Sequence, residues 1–332
     1  MEKRAFGRSG LMLSLLGFGC GAVGGLMVRG EPRDQERAVG MARDAGVNYF
    51  DTAVQYGDGA SETNLGRALN ALKLKNAVVG TKVRLPAADF GRIRAAVTRS
   101  LEGSLKRLGR ERADIFHLHN AITLAGGGEN LSARQVLDEV VPAFQELRRQ
   151  GKIGFVGITA IGETAALHRV IDARVIDSAQ VVYNILNPSA GAALPERYPA
   201  QDYGRLLERT AAAGTGVIAI RVLAGGALSG DAYRHPIASP PPEPIGSAAT
   251  YEGDLARAQR LLPAVPFVFA QSLTEAAVRF VIANRAVGTV LVGIATVEQF
   301  AQALAAVEQG PLPQAGIDRL AAVQQSFAGE AR

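Results

Sequence analysis

Four residues carry side chains able to run a proton transfer, and three of them end apolar stretches. Asp51 closes VNYFD (47–51), Lys82 closes AVVGTK (77–82) and His119 closes ADIFHLH (113–119), while Tyr56 follows Asp51 in an irregular segment. A phenol with a pKa of about 10 is a poor acid at neutral pH. An ammonium beside it favours the phenolate and lowers that pKa, and a carboxylate keeps a buried ammonium charged. Asp51 holding Lys82, with Lys82 acidifying Tyr56, is therefore a coherent proton-delivery unit. His119 adds a hydrogen bond able to orient a carbonyl oxygen. Such a set protonates a C=O or deprotonates an alcohol, and it holds no nucleophile, so hydride has to come from a cofactor. A structural ion pair explains Asp51 and Lys82 but not the convergence of Tyr56 and His119 on them.

These groups need elements that bring strand ends together. Beyond the three stretches above, SLLGFGC (14–20), IGFVGIT (153–159), DSAQVVYN (177–184), GVIAIRVL (216–223) and GTVLVG (288–293) are apolar at nearly every position. Strands of that kind are buried on both faces, which predicts a parallel, helix-covered sheet. A helical pattern follows each one, over 32–46, 61–72, 90–109, 133–151, 163–173, 202–214, 274–284 and 296–310. Pro32 opens the first helix and Gly46 ends it, and Ser61 is the expected N-cap of the second. Eight consecutive units are what a closed (β/α)8 TIM barrel needs, here as one domain over residues 1–332. EKRAFGRSGLMLS reads as a hairpin turning at Arg8-Ser9-Gly10 and covering the barrel's N-terminal mouth. Long loops follow strand six (185–201) and strand seven (224–272), the second long enough to act as a lid. Catalytic groups project from the C-terminal strand ends of a barrel, which adds Thr159, Gln180, Arg221 and Gly293 to the candidates. His117 is assigned to the helix layer and to a structural role.

Other classes fit less well. Gly19-x-Gly21-x-x-Gly24 matches a dinucleotide fingerprint, but the glycines run on to Gly30 before a helix begins near Pro32. Asp51 lies 27 residues past Gly24, beyond the spacing of about 20 the fingerprint wants. The glycines read better as a flexible first loop. One cysteine, Cys20, rules out an intrachain disulfide and suits a reducing compartment, so a cytoplasmic location is expected. The histidines show no zinc spacing, and no metal is expected. Lys+Arg exceeds Asp+Glu by only 36 − 31 = 5, without a basic block, so no nucleic-acid partner is expected. The uncharged residues 10–28 include six glycines, poor material for a membrane span or signal helix. No membrane partner is expected.

The chain resembles the aldo-keto reductases along its whole length. The resemblance rests on GVNYFDTAVQYG (46–57), GTK (80–82), DIFHLH (114–119), SAQVVYN (178–184) and VLVGIATVEQ (290–299). It implies NAD(P)(H)-dependent oxidoreduction of a small aldehyde, ketone or sugar. Tyr56 would be the general acid/base, Lys82 and Asp51 would tune it, and His119 would bind the substrate carbonyl. It also implies a cofactor site. Gln180 would meet the carboxamide, Thr159-Ala160 stands where the family usually has Ser-Asn, and Ile220 stands where an aromatic commonly stacks. Arg221 is a candidate for the pyrophosphate, with Gly21 and Gly293 beside the dinucleotide. Gln299 stands where the family's usual 2′-phosphate cation stands, Gln302-Ala303 where its adenine-binding Glu-Asn pair stands, and Thr296 offers a hydroxyl, so either NADP(H) or NAD(H) is expected. The substrate mouth is expected from Val54, Asn120 and Tyr183, polar enough for a small hydroxy-aldehyde or sugar. The alternative is a non-catalytic nicotinamide-binding sensor or accessory subunit on the same fold.

Overall fold

A computed structural model of the chain describes residues 1–264 and 269–332. The strands, in chain order, are β1 (Lys3–Ala5), β2 (Met12–Ser14), β3 (Leu16–Gly19), β4 (Tyr49–Asp51), β5 (Val78–Val83), β6 (Ala113–Leu118), β7 (Ile122–Thr123), β8 (Leu131–Ser132), β9 (Ile153–Ala160), β10 (Ser178–Val182), β11 (Gly216–Ile220) and β12 (Val287–Gly293). Eight of them close a parallel barrel in the order β3-β4-β5-β6-β9-β10-β11-β12, with β12 returning to β3. Helices α1 (Leu26–Arg29), α2 (Pro32–Asp44), α3 (Ala60–Ala71), α4 (Ile93–Leu108), α5 (Ala133–Gln135), α6 (Val141–Arg149), α7 (Thr164–Asp172), α8 (Leu206–Ala213), α9 (Tyr251–Leu261), α10 (Leu273–Ala283), α11 (Val297–Glu308) and α12 (Gln314–Gln325) complete the fold. All eight expected strand–helix units form. Helix α9 lies inside the long loop after β11, and α12 follows the last unit. Neither is preceded by a strand, so the alternating pattern gave no sign of them. Residues 265–268 of that loop lie outside the described residues.

The barrel's lower interior is an apolar plug. Phe6 and Leu13 of the β1–β2 hairpin pack there with Tyr49, Ile115, Ile218 and Leu291. Gly216 makes room, since a Cβ on it would lie 2.7 Å from the Phe6 ring. Arg4 bolts the hairpin on by donating to the carbonyls of Ile282 at 2.9 Å and Val287 at 3.1 Å, and Arg8 donates to that of Ala213 at 2.8 Å. The hairpin closes the N-terminal mouth, which leaves the C-terminal mouth for chemistry.

Two local expectations change. Helix α3 starts at Ala60, with Gly59 in a left-handed turn (φ 90°) at its N-cap, so Ser61 is not the cap. The buried Ser61 hydroxyl instead donates to the Cys20 carbonyl at 2.9 Å and lies 2.8 Å from that of Thr52, tying β3 to the segment after Asp51. The helix expected over 133–151 is interrupted by a π-helical turn at Val136–Val140. Val141 N–H reaches back to the Val136 carbonyl there, and Pro142, next in line, has no N–H to give. Among the described residues no helix is long and apolar enough to cross a membrane.

Candidate active site

Strand register brings the proton-handling groups together. Gly19 pairs with Asp51, Asp51 with Gly80, and Lys82 with His117 across β3 to β6. Asp51 and Lys82 therefore point into the barrel just above the apolar plug, and His119 emerges one step beyond. Lys82 is wholly buried, and its ammonium uses all three hydrogens. One goes to Asp51 Oδ1, one to the Thr52 carbonyl at 2.8 Å, and one to the Tyr56 hydroxyl oxygen at 3.1 Å. Because Lys82 Nζ donates to the phenol oxygen, the phenol proton is left to face outward. The same ammonium sits 4.7 Å from the centre of the Tyr56 ring.

Asp51 is held on its other oxygen by two further donors. Oδ2 accepts from the Tyr49 hydroxyl at 2.8 Å and from Gln180 Nε2 at 2.6 Å. Tyr49 is a residue that sequence reasoning missed. Two glycines on neighbouring strands admit its ring: a Cβ on Gly80 would lie 2.5 Å from the Tyr49 hydroxyl, and one on Gly17 would lie 2.9 Å from its ring. The signal was available, because Tyr49 and Asp51 are two apart on one strand and so share a face.

The electrostatics differ from the simple acidified phenol. Burial is the largest influence on Tyr56 and pushes its pKa up; Lys82 pulls it down and Asp51 pushes it up again, leaving the phenol above its usual value. Tyr56 thus rests as a protonated acid. Burial would drive the Lys82 ammonium down, but Asp51 and then Tyr56 hold it above the usual lysine value. Burial, then Lys82 and Arg84, push His119 down to about 3, so its imidazole is neutral. Its Nδ1 lies 3.2 Å from Gln55 Oε1, and its ring meets that of Tyr56 edge-on, with centroids 5.8 Å apart and planes at 86°.

His117 is not in the helix layer. It shares parity with Ile115 and His119, so it points into the barrel, where Nε2 lies 2.9 Å from the Ser178 hydroxyl. A Cβ on Gly157 would lie 2.3 Å from its ring, so that glycine gives it space.

Above these groups opens a cavity of about 430 Å³, lined by Tyr56, His119 and Gln180 at one end and by Gln299, Gln302 and Ala306 at the other. Gly21, Thr159, Ile220, Arg221 and Gly293 line it as well, whereas Thr296 does not and instead caps α11. Gln299 Oε1 accepts from Ala295 N–H at 2.7 Å, which leaves only its NH2 group free of that cap. The residues expected at the substrate mouth lie apart from this cavity. Val54, Asn120 and Tyr183 are absent from the lining. Asn120 is buried and holds the Leu85 N–H and carbonyl at 2.8 and 2.7 Å, fixing the chain after β5. Tyr183 faces outward against Phe280, with ring centroids 5.3 Å apart.

A lid closes one side of the cavity. Arg221 and Ala224 turn the chain out of β11 with left-handed φ values of 56° and 48°. Arg234, also missed in the sequence, donates to the carbonyls of Gly225 at 2.7 Å and Ala238 at 2.8 Å and to the Tyr251 hydroxyl at 3.2 Å. Arg29 links the lid to the first loop through the carbonyls of Ile237 at 2.8 Å and Ala22 at 2.7 Å. Arg221, Arg234 and His235 all line the cavity, and Arg221 forms no ion pair among the described residues. Among those residues no group of three or more His, Cys, Asp or Glu is placed to hold a metal.

A nicotinamide dinucleotide suits this space. The buried Thr159 hydroxyl lines the cavity and has no hydrogen-bond partner within the protein, so a polar group of a ligand could satisfy it. Gly21 and Gly24 bring bare backbone to the opposite wall, where a Cβ on Gly24 would lie 2.2 Å from the Ile294 nitrogen. The cations of the lid suit phosphate oxygens.

The aldo/keto reductase family model matches residues 15–325. L-galactose dehydrogenase of Arabidopsis thaliana is 30% identical over 329 residues, covering 96% of this chain and 91% of that protein. D-threo-aldose 1-dehydrogenase of a Pseudomonas species is 31% identical over 219 residues, 56% of this chain and 63% of that protein. The holo form of an aldo-keto reductase from Bacillus halodurans superposes with a TM-score of 0.72 at 26% identity, covering 100% of this chain and 97% of that one. With a closed parallel barrel beneath a match of this length, the chain belongs to the aldo/keto reductase family, oxidoreductases that use NAD(P)H.

Proposed function

We propose that the protein is an NAD(P)-dependent sugar dehydrogenase or aldehyde reductase in which Tyr56 is the general acid/base. The observation that carries this reading is the complete use of the Lys82 ammonium, whose third hydrogen on Tyr56 leaves the phenol proton aimed at the cavity. Asp51, saturated by Lys82, Tyr49 and Gln180, keeps that ammonium charged and in place. Tyr56 donates its proton to the oxygen of a carbonyl during reduction and accepts it back during oxidation. General acid–base catalysis of this kind is worth about 10²–10⁴-fold.

When bound, the nicotinamide supplies or takes up the hydride. Thr159 and Gln180 would hold its carboxamide, Gly21 and Gly293 would flank the dinucleotide, and Arg221 with Arg234 would meet the pyrophosphate. Ile220 would give the nicotinamide an aliphatic wall. Near α11, Gln299 offers neutral hydrogen bonds where a cation would select the 2′-phosphate, so discrimination between NADPH and NADH should be weak.

The substrate class is argued from the names of two relatives, both of which are sugar dehydrogenases. The lone buried thiol, Cys20, suits a cytoplasmic setting. The test is a panel of aldoses, polyols and short aldehydes, with initial rates of reduced-nicotinamide formation or loss for each cofactor. Rates on aldoses above those on simple aliphatic alcohols support the reading. Turnover of none of the panel, with cofactor bound, would replace it with a sensor or accessory role.

A further inference from the structure

The two ends of the cavity are finished differently. Tyr56, His119 and Gln180 crowd one end, while the α11 end offers the amides of Gln299 and Gln302 beside the methyl groups of Ala303 and Ala306. Amides hydrogen-bond the edge of a flat base and leave its face uncovered. Among the described lining residues, Tyr56 and Tyr233 alone carry a benzene ring, and Tyr56 is committed to Lys82. Tyr233 belongs to the side of α10 and α11. The chain leaves β11, packs its Ala224–Ser229 turn on α10, and reaches Tyr233 directly afterwards. Helix α10 lends Thr274 and Val278 to the same wall and packs against α11. Tyr233 lines the cavity and is nevertheless 73% exposed, so its ring has little packing of its own. Its backbone, by contrast, is tied down. The Tyr233 N–H donates to Asp231 Oδ1 at 2.9 Å, and Arg234, next in line, is held by Gly225, Ala238 and Tyr251.

We propose that Tyr233 is a cofactor-binding residue whose ring stacks on the face of the dinucleotide's adenine and closes the α11 end of the cavity. This rests on the dinucleotide lying along the cavity, as read above. A ring with an unpacked face on a pinned backbone costs little to order when a base arrives. An aromatic face takes any base without reading its edge, so the contact supplies affinity and no choice of cofactor. NADPH and NADH share the adenine, and both gain from it equally. Their discrimination is left to the amides on α11.

Two binding experiments test this without any substrate. Titration of NADH and NADPH, followed by reduced-nicotinamide fluorescence, compares wild type with Tyr233→Ala and Tyr233→Phe. Tyr233→Ala should weaken both cofactors alike, by about 5–100-fold, the worth of one base stacked on an aromatic ring. Tyr233→Phe keeps the ring and should stay within about twofold of wild type. The chain contains no tryptophan, so Tyr233→Trp installs a single reporter at the proposed contact. Adenosine diphosphate ribose carries the adenine and pyrophosphate without the nicotinamide. It should compete with NADH and quench the emission of Tyr233→Trp. Unchanged NADH affinity in Tyr233→Ala, or competition by adenosine diphosphate ribose with no change in that emission, would overturn the proposal. Wild type that binds neither NADH nor NADPH would overturn the dinucleotide reading itself, so the two failures are told apart.

Discussion

Thr81 and Lys82 are neighbours in β5, and each leads to an ion pair with a buried carboxylate on its own side of the barrel wall. Outward, Glu62 of α3 accepts from the Thr81 hydroxyl and from Arg107 Nε of α4 at 2.7 Å. Inward, Asp51 pairs with Lys82. The carboxylates are alike in burial, with side chains 0% and 5% exposed. Desolvation makes both pairs costly, and neither is a functional signal by itself. They differ in the third partner. Glu62 and Arg107 close on Thr81 and lie outside the cavity, so they pin two helices to a strand. Lys82 closes on Tyr56, which lines the cavity. What separates the two pairs is that one of them has a hydrogen bond ending on a group that a ligand can reach.

The largest effects should come from breaking the two cations separately. Lys82→Met leaves Asp51 unpaired and should cost about 3–5 kcal/mol of stability. It should also lower turnover by about 10²–10⁴-fold, the range of a lost proton-transfer arrangement. Arg107→Met leaves Glu62 with Thr81 and should cost about 1–3 kcal/mol, with turnover per folded molecule unchanged. Urea unfolding and initial rates measure both. Equal losses of turnover would erase the distinction between the pairs.

Acid should weaken the inner side selectively. Below the ordinary histidine value of 6.5, the unfolded chain takes up a proton on His119 that the folded chain refuses until about 3. The unfolded state then binds more protons, so the stability is fully present above 6.5 and is lost as pH falls toward 3. The slope is up to about 1.4 kcal/mol per pH unit. His117, pushed down by burial and then by Lys82, acts in the same direction. Urea midpoints followed from roughly pH 7 to pH 4 should fall more steeply for wild type than for His119→Asn.

A smaller effect should follow from the ring beneath Asp51. Gly80→Ala drives a methyl group into the Tyr49 hydroxyl and should cost about 1–3 kcal/mol by overpacking, with a several-fold loss of turnover as Asp51 shifts. Tyr49→Phe keeps the ring and loses one donor, a cost of about 1 kcal/mol. Thermal melts and rates on the two variants separate crowding from the lost hydrogen bond. At the end of the cavity beside α11, Gln299→Arg should tighten NADPH by about tenfold without tightening NADH, since one charge-assisted bond is worth that much. Fluorescence titration reads it, and a wild type already preferring NADPH by about a hundredfold would mean another cation reaches the phosphate.

The barrel was legible because its strands are apolar on both faces and each is followed by a helical period. The groups at strand ends were legible for the same reason: Asp51, Lys82 and His119 stand out against apolar runs. His117 was misplaced although parity alone puts it inside with His119, two positions away. Tyr49 was passed over because a tyrosine in a strand reads as packing. Asn120 and Tyr183 looked available in sequence, but a backbone contact and a helix claim them. The direction of the Tyr56 shift depended on how far burial outweighs Lys82, and depth is not written in residue order.

The claim on which the comparison turns is that Tyr56 delivers the proton. Tyr56→Phe keeps the ring against Lys82 and His119 and removes only the hydroxyl. Turnover on the best substrate and cofactor affinity, measured on the same purified variant, test it together. The expected result is a loss of turnover of about 10²–10⁴-fold with cofactor binding unchanged within about twofold. Near-normal turnover in Tyr56→Phe would contradict the account and move the proton to another group.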